Sequence, residues 1–250
     1  MKKNISMVLV GMAALCACTK QVKFTPQNAT LFAGDSILVS VENAGATPKL
    51  LSENTFVATV GETSGWIKAR HVGETNVYCD YDANSTAAEN VAKCKVTVEP
   101  RYEYYTEPVT DWMLTKEELI AKLGKPTKEM VEDGDGHVYY GDMNSDDCVI
   151  MYAFGGGRMY RAYVGHKKFT KKEIIPFLAE RYTQLPLEDT NGEVIFINAD
   201  TEDDATVYVQ IDEGEEEPIG HLLIVVYTIA NAEDMECPAR KAYMYRLLNE

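Results

Sequence analysis

The sequence predicts an all-β sandwich followed by an α+β unit made of two α-β-β-β repeats, an antiparallel sheet with helices on one face. Three observations carry this. Short apolar alternations recur between glycine turns from Phe24 to Val98. A capped helical stretch starting near Leu114 returns 55 residues later. A run of strand-like segments follows each copy.

In the first part, Ile37, Val39 and Val41 alternate with polar residues after the Gly34-Asp35 turn, and Ile67 and Ala69 do so after Gly65. Period-two alternation puts each set on one strand face. Cys94, Val96 and Val98 close the region in the same way. If Val77 and Val96 both face the core, Cys79 and Cys94 share that face, and a hairpin register pairing 79 with 94 also pairs 77 with 96. A disulfide there would close a loop of roughly 15 residues, worth about 3 kcal/mol in the chain-entropy model. Two buried thiols are the alternative.

The segments Leu31-Phe32-Ala33-Gly34-Asp35-Ser36, Ser52 to Val60, Gly65-Trp66-Ile67-Lys68-Ala69 and Cys94-Lys95-Val96-Thr97-Val98 together resemble the bacterial group 2 immunoglobulin-like family (Big2). The resemblance covers nearly all of residues 18–99. It implies an Ig-like sandwich outside the cytoplasm, used as a spacer or adhesion module, with no catalysis.

Pro100 to Pro108 with Trp112 reads as a stiff linker over 100–112, its aromatic residues either packing a joint or offering a stacking platform. From 113 to 250 the α+β unit begins. Thr115-x-x-Glu118 and Thr170-x-x-Glu173 are capping boxes, each followed by an apolar face: Leu119, Ile120 and Leu123, then Ile174, Ile175 and Leu178. Pro176 should kink or shift the second helix. Val138, Asp147 and Tyr152 match Val194, Asp203 and Tyr208 at a shift of 56, and third strands follow at Arg158–Gly165 and His221–Ile229. In arrangement this is similar to the β-lactamase-inhibitor-like and outer-membrane-assembly lipoprotein folds. The tail from Ala239 to Leu248 fits helix or strand.

The amino terminus carries its own signal. Lys2 and Lys3 precede an uncharged apolar stretch from Ile5 to Leu15, too short to span a membrane but suited to a cleaved leader over residues 1–17. Leu15-Cys16-Ala17-Cys18 resembles the lipobox of bacterial lipoproteins. That resemblance implies diacylglycerol on Cys18, acylation of the new terminus, and a lipid anchor in the cell envelope. Thr19-Lys20-Gln21-Val22 lacks an acidic export signal, which favours the periplasmic face of an outer membrane over the cell surface. Cys148 and Cys237 would form a second disulfide in such a compartment.

Composition excludes some partners. With 39 acidic against 24 basic residues the net charge is −15, which repels nucleic acid and anionic lipid headgroups. Asp142-x-Asn144-x-Asp146 has calcium-loop spacing but lacks the sixth-position glycine and the twelfth-position glutamate, so a polar turn is expected and no metal. The four histidines are scattered singly, and no nucleophile or phosphate-loop motif is present, so neither catalysis nor a cofactor is expected. The function expected is presentation of a binding face for a protein or glycan, with Tyr139, Tyr140, Tyr152, Tyr160 and Tyr163 as its aromatic residues. A scaffold role in envelope assembly is the alternative, and a hydrolase with a hidden site the third reading.

Overall fold

The computed structural model describes residues 22–43, 49–80, 92–141, 148–190, 193–213 and 223–230. The leader, Cys18, the Asp142–Asp147 loop, Cys237 and the tail lie outside them. The protein is β-rich, with antiparallel sheets and two helices among the described residues. None of its described helices is long and apolar enough to cross a membrane.

Among the described residues the amino-terminal region holds nine strands: β1 (Lys23–Thr25), β2 (Asn28–Phe32), β3 (Ser36–Leu38), β4 (Ser40–Glu42), β5 (Lys49–Ser52), β6 (Ala58–Val60), β7 (Trp66–Ala69), β8 (Gly73–Asp80) and β9 (Lys93–Glu99). They form sheets ordered β1-β4, β3-β7-β6 and β2-β9-β8-β5, with β2 parallel to β9. Alternation decides which side chains go inward. Val39, Ile67, Ala69, Val77, Val96 and Val98 are buried in one shared core, and Ile37 and Val41 pack against it.

The β8–β9 register departs from expectation by two residues. Val77 lies opposite Cys94 and Thr75 opposite Val96. Cys79 is therefore a diagonal neighbour of Cys94, where Cα separations run to about 7–8 Å, instead of the directly facing position that a disulfide favours. Cys94 is a buried free thiol, its pKa pushed up by that burial, so no bond joins it to Cys79.

The carboxyl-terminal region consists of α1 (Lys116–Leu123), β10 (Lys128–Glu132), β11 (Asp135–Tyr140), β12 (Cys148–Gly155) and β13 (Arg158–His166). A second set follows: α2 (Lys171–Ala179), β14 (Thr183–Gln184), β15 (Ile195–Ile197), β16 (Val207–Glu213) and β17 (Leu223–Ile229). Among the described residues each helix thus precedes four strands, one more than the sequence repeat suggested. The added strands β10 and β14 are the two edges of one eight-stranded sheet, ordered β10-β11-β12-β13-β17-β16-β15-β14. Lys128, Glu129 and Glu132 on β10 are exposed, a pattern that hides a strand from alternation rules and protects an edge. The two meanders meet through their last strands, with Val164 opposite Val225.

Both helices lie on the same face. Leu119, Ile174, Phe177 and Leu178 share a core with Val138, Tyr152, Val164, Val209, Val225 and Tyr227. Thr115 N–H donates to Glu118 Oε2 at 2.8 Å and Glu118 N–H to Thr115 Oγ1 at 3.2 Å, closing the first capping box. In α2 the Thr170 amide and hydroxyl both donate to Glu173 Oε2, at 2.9 and 2.8 Å. The helix runs through Pro176 to Ala179. Leu123, expected on the apolar face, is 40% exposed, while Phe177 takes a buried place that the repeat did not assign. The shift of 56 is one residue out of phase in the strands, because Tyr152 faces the helices and Tyr208 packs on the other side with Ile197 and Ala205.

Candidate functional site

The five tyrosines expected to form a binding face do not share one. Tyr139 and Tyr140 are neighbours in β11 and point to opposite sides. Tyr140 and Tyr152 belong to the helix-facing side, whereas Tyr139, Tyr160 and Tyr163 form the opposite cluster with Met151, Ile224 and Val226. The bulge in the β12–β13 pairing sets this arrangement. Ala153 faces Arg161 and Phe154 faces Met159, which leaves Tyr160 as the extra residue and brings it to the side of Tyr163. Four of the five are at most 9% exposed, with Tyr152 at 1%. Tyr152 accepts a hydrogen bond from Val109 N–H at 3.0 Å, and burial pushes its pKa up to about 12. A stacking surface built on these rings is therefore overturned: four of the five are packed into the two faces of the sheet.

The segment read as a stiff linker is pressed onto the helix-side core instead of bridging open space. Tyr102, Tyr104, Tyr105, Val109, Trp112 and Leu114 all pack against that core. Tyr104 meets Phe169 at 4.4 Å between ring centroids, and Tyr105 meets Phe177 at 4.6 Å. Trp112 Nε1 donates to the Thr206 carbonyl at 3.0 Å. Of the two sequence readings of these aromatic residues, the structure has the packed one.

A buried polar network fixes this strap, and sequence reasoning did not find it. The Glu180 carboxylate, 5% exposed, accepts the backbone amides of Arg101 at 3.0 Å and Tyr102 at 3.1 Å. Arg181 follows it and is 10% exposed. Its guanidinium reaches Glu180 Oε1 at 2.6 Å, the Phe177 carbonyl at 2.9 Å, the Tyr102 carbonyl at 3.0 Å and Glu107 Oε2 at 3.3 Å, and it lies 3.8 Å above the Phe177 ring. Tyr182 Oη donates to Glu107 Oε1 at 2.6 Å, and the Tyr105 and Tyr227 hydroxyls are 2.7 Å apart. Burial raises the pKa values of Tyr105, Tyr182 and Tyr227, so these phenols stay protonated donors. The only sequence signal was a charged pair after a helix, Glu180-Arg181, which ordinarily marks a solvated C-terminus.

The same place joins the two regions. Val72 N–H donates to the Glu180 carbonyl at 2.7 Å, Arg101 pairs with Asp35 at 2.9 Å, and Arg70 pairs with Asp200 at 2.7 Å. Arg101 also lies 4.7 Å from the Phe32 ring centroid. The chemistry of this cluster is attachment: each charged group is matched to a backbone group or an opposite charge across the joint.

Glu107 gives the network a pH signature. Burial holds its carboxyl above the usual range, and the hydrogen bond from Tyr182 and the charge of Arg181 oppose that rise. Because the folded pKa exceeds the unfolded one, its contribution is fully present below the ordinary carboxylate pKa and is lost as pH rises through the folded value. Glu107→Gln should therefore flatten the fall in melting temperature as pH rises above the ordinary carboxylate pKa. An unchanged pH profile in the variant would refute the assignment.

Among the described residues no group of three or more histidine, cysteine or acidic side chains is placed to hold a metal. Cys148 faces His166 across β12 and β13; Cys237, its expected disulfide partner, lies outside the described residues. Comparison with protein-family models and with curated proteins finds no match to this chain.

Proposed function

We propose that this is a lipid-anchored protein of the bacterial cell envelope, a binding module whose carboxyl-terminal domain is carried on an Ig-like spacer. In this reading residues 1–17 are the leader and Cys18 is the acylated terminus. Residues 18–99 are a Big2-like sandwich, 100–112 connect it, and 113–250 are an α+β domain of β-lactamase-inhibitor-like arrangement. The outer membrane, facing the periplasm, is its proposed address.

One geometric observation carries the spacer role. β1 enters beside Glu42, at the end of β4, whereas the carboxyl-terminal region contacts the opposite strand ends at Asp35, Arg70, Val72 and Arg101. A lipid on Cys18 would therefore hold one end of the sandwich while the other end carries the eight-stranded sheet. β8, with eight residues, measures the separation at about 26 Å.

Burial of the tyrosines removes the aromatic basis for recognition on the sheet, of a protein as much as of a glycan. A second reading, an accessory scaffold of an envelope complex, draws on the same joint, since a fixed angle between the regions suits a part held inside an assembly. Purification from solubilised membranes separates the two: a scaffold brings stoichiometric partners, a module with an exchangeable ligand does not. The anchor itself is tested by Cys18→Ser, which should abolish acyl labelling and move the protein from membrane to soluble fractions. Unchanged labelling and fractionation would overturn the proposal.

A further inference from the structure

We infer that the outward face of β1, β3, β4 and β7 rests on the bilayer, with Trp66 and Leu38 as its interfacial anchors. This rests on the reading that Cys18 is lipidated.

Trp66 is 53% exposed and Leu38 is 52% exposed, and the two stand directly opposite each other in the β3–β7 pairing. A tryptophan beside a leucine on a half-solvated sheet wastes apolar area unless something covers it. Alternation continues unbroken through Leu38, Val39 and Ser40, with Val39 buried, so Leu38 and Ser40 share one outward face. β4 continues β3 past Val39 into a separate two-stranded sheet, where β1 pairs with it and adds the exposed residues Lys23 and Thr25. β7 adds exposed Lys68 one step along from Trp66.

Three considerations select the membrane as the occupant. The first is reach. Four residue steps separate Cys18 from Val22, at most about 14 Å of extended chain, so β1 starts close to the acylated residue and keeps the neighbouring strands near the bilayer. The second is chemistry. Tryptophan settles at the membrane interface, and lysines beside it meet anionic headgroups. Lys23 and Lys68 flank the apolar pair in a chain of net charge −15, with Glu42 opposite Lys23 as the acidic group on the same face. The third is size. Two side chains supply far less than the roughly 800 Å² per partner that a stable protein interface buries. They suffice as a second, weak contact beside an acyl anchor that already supplies the affinity.

The test uses the full chain purified from bacterial membranes and returned to vesicles of phosphatidylethanolamine and phosphatidylglycerol, with and without brominated acyl chains. Trp66→Phe subtracts the signal of Trp112, the other tryptophan. Trp66 emission should move to shorter wavelength on vesicles and fall about two-fold with brominated lipid. Leu38→Ser combined with Lys68→Glu should reduce that quenching. If Cys18 carries its acyl label while Trp66 keeps a water-exposed spectrum and is not quenched, the docking is wrong and a soluble ligand, carbohydrate or protein, covers this face. If Cys18 carries no acyl label, the anchor is overturned and the docking falls with it.

Discussion

Arg181→Ala is expected to destabilise the protein by about 3–5 kcal/mol in urea unfolding at neutral pH, the range for removing one partner of a buried ion pair. The guanidinium is the cation that touches both carboxylates under the strap. Without it, Glu180 keeps the amides of Arg101 and Tyr102 but loses its counter-charge, and Glu107 keeps only Tyr182. Arg181→Lys should recover only part of the loss, because a point charge cannot reach two carbonyls and two carboxylates from a flat position over Phe177. A loss below about 1 kcal/mol for the alanine variant would place this pair with ordinary surface ion pairs.

Phe177→Ala should cost a similar amount, about 3–5 kcal/mol, for a different reason. The ring is fully buried between Tyr105, Tyr104 and the guanidinium of Arg181, so its removal leaves a cavity in the centre of the helix-side core. The two losses share contacts. The Arg181→Ala, Phe177→Ala double variant should therefore lose less than the sum of the single variants by more than about 0.5 kcal/mol. Strict additivity would show that the strap and the helix are held independently.

What the sequence made legible follows from the kind of signal each element carries. Capping boxes are local, and Thr115 and Thr170 mark both helix starts. Strands with one buried face announce themselves by alternation, so Val39, Ile67 and Val96 could be placed inward from their neighbours alone. Register is a relation between strands, and the Cys79–Cys94 expectation missed it because a slip of two residues preserves every inward-facing set. The β10 and β14 edges were invisible for a related reason: one is charged and the other is two residues long.

The tyrosine face could have been doubted from sequence, since adjacent residues 139 and 140 cannot point the same way in a strand. The position of Tyr160 could not, because a bulge is decided by pairing. Glu180 and Arg181 were missed because burial of a charge depends on what folds over it. Here that is a strap nearly 80 residues earlier in the chain.

The central seam of the eight-stranded sheet has a consequence for biogenesis. β17, from the last part of the chain, is seated between β13 and β16, so Val164 waits for Val225 to be delivered before its own strand is covered. Strand pairing at such sequence distance is slow and leaves aggregation-prone edges open meanwhile. A chain released before residue 223 would leave the second half-sheet short of its last strand and the β13 edge of the first uncovered, so maturation of this region waits for the β17 segment, and premature termination yields substrates for chaperones and proteases.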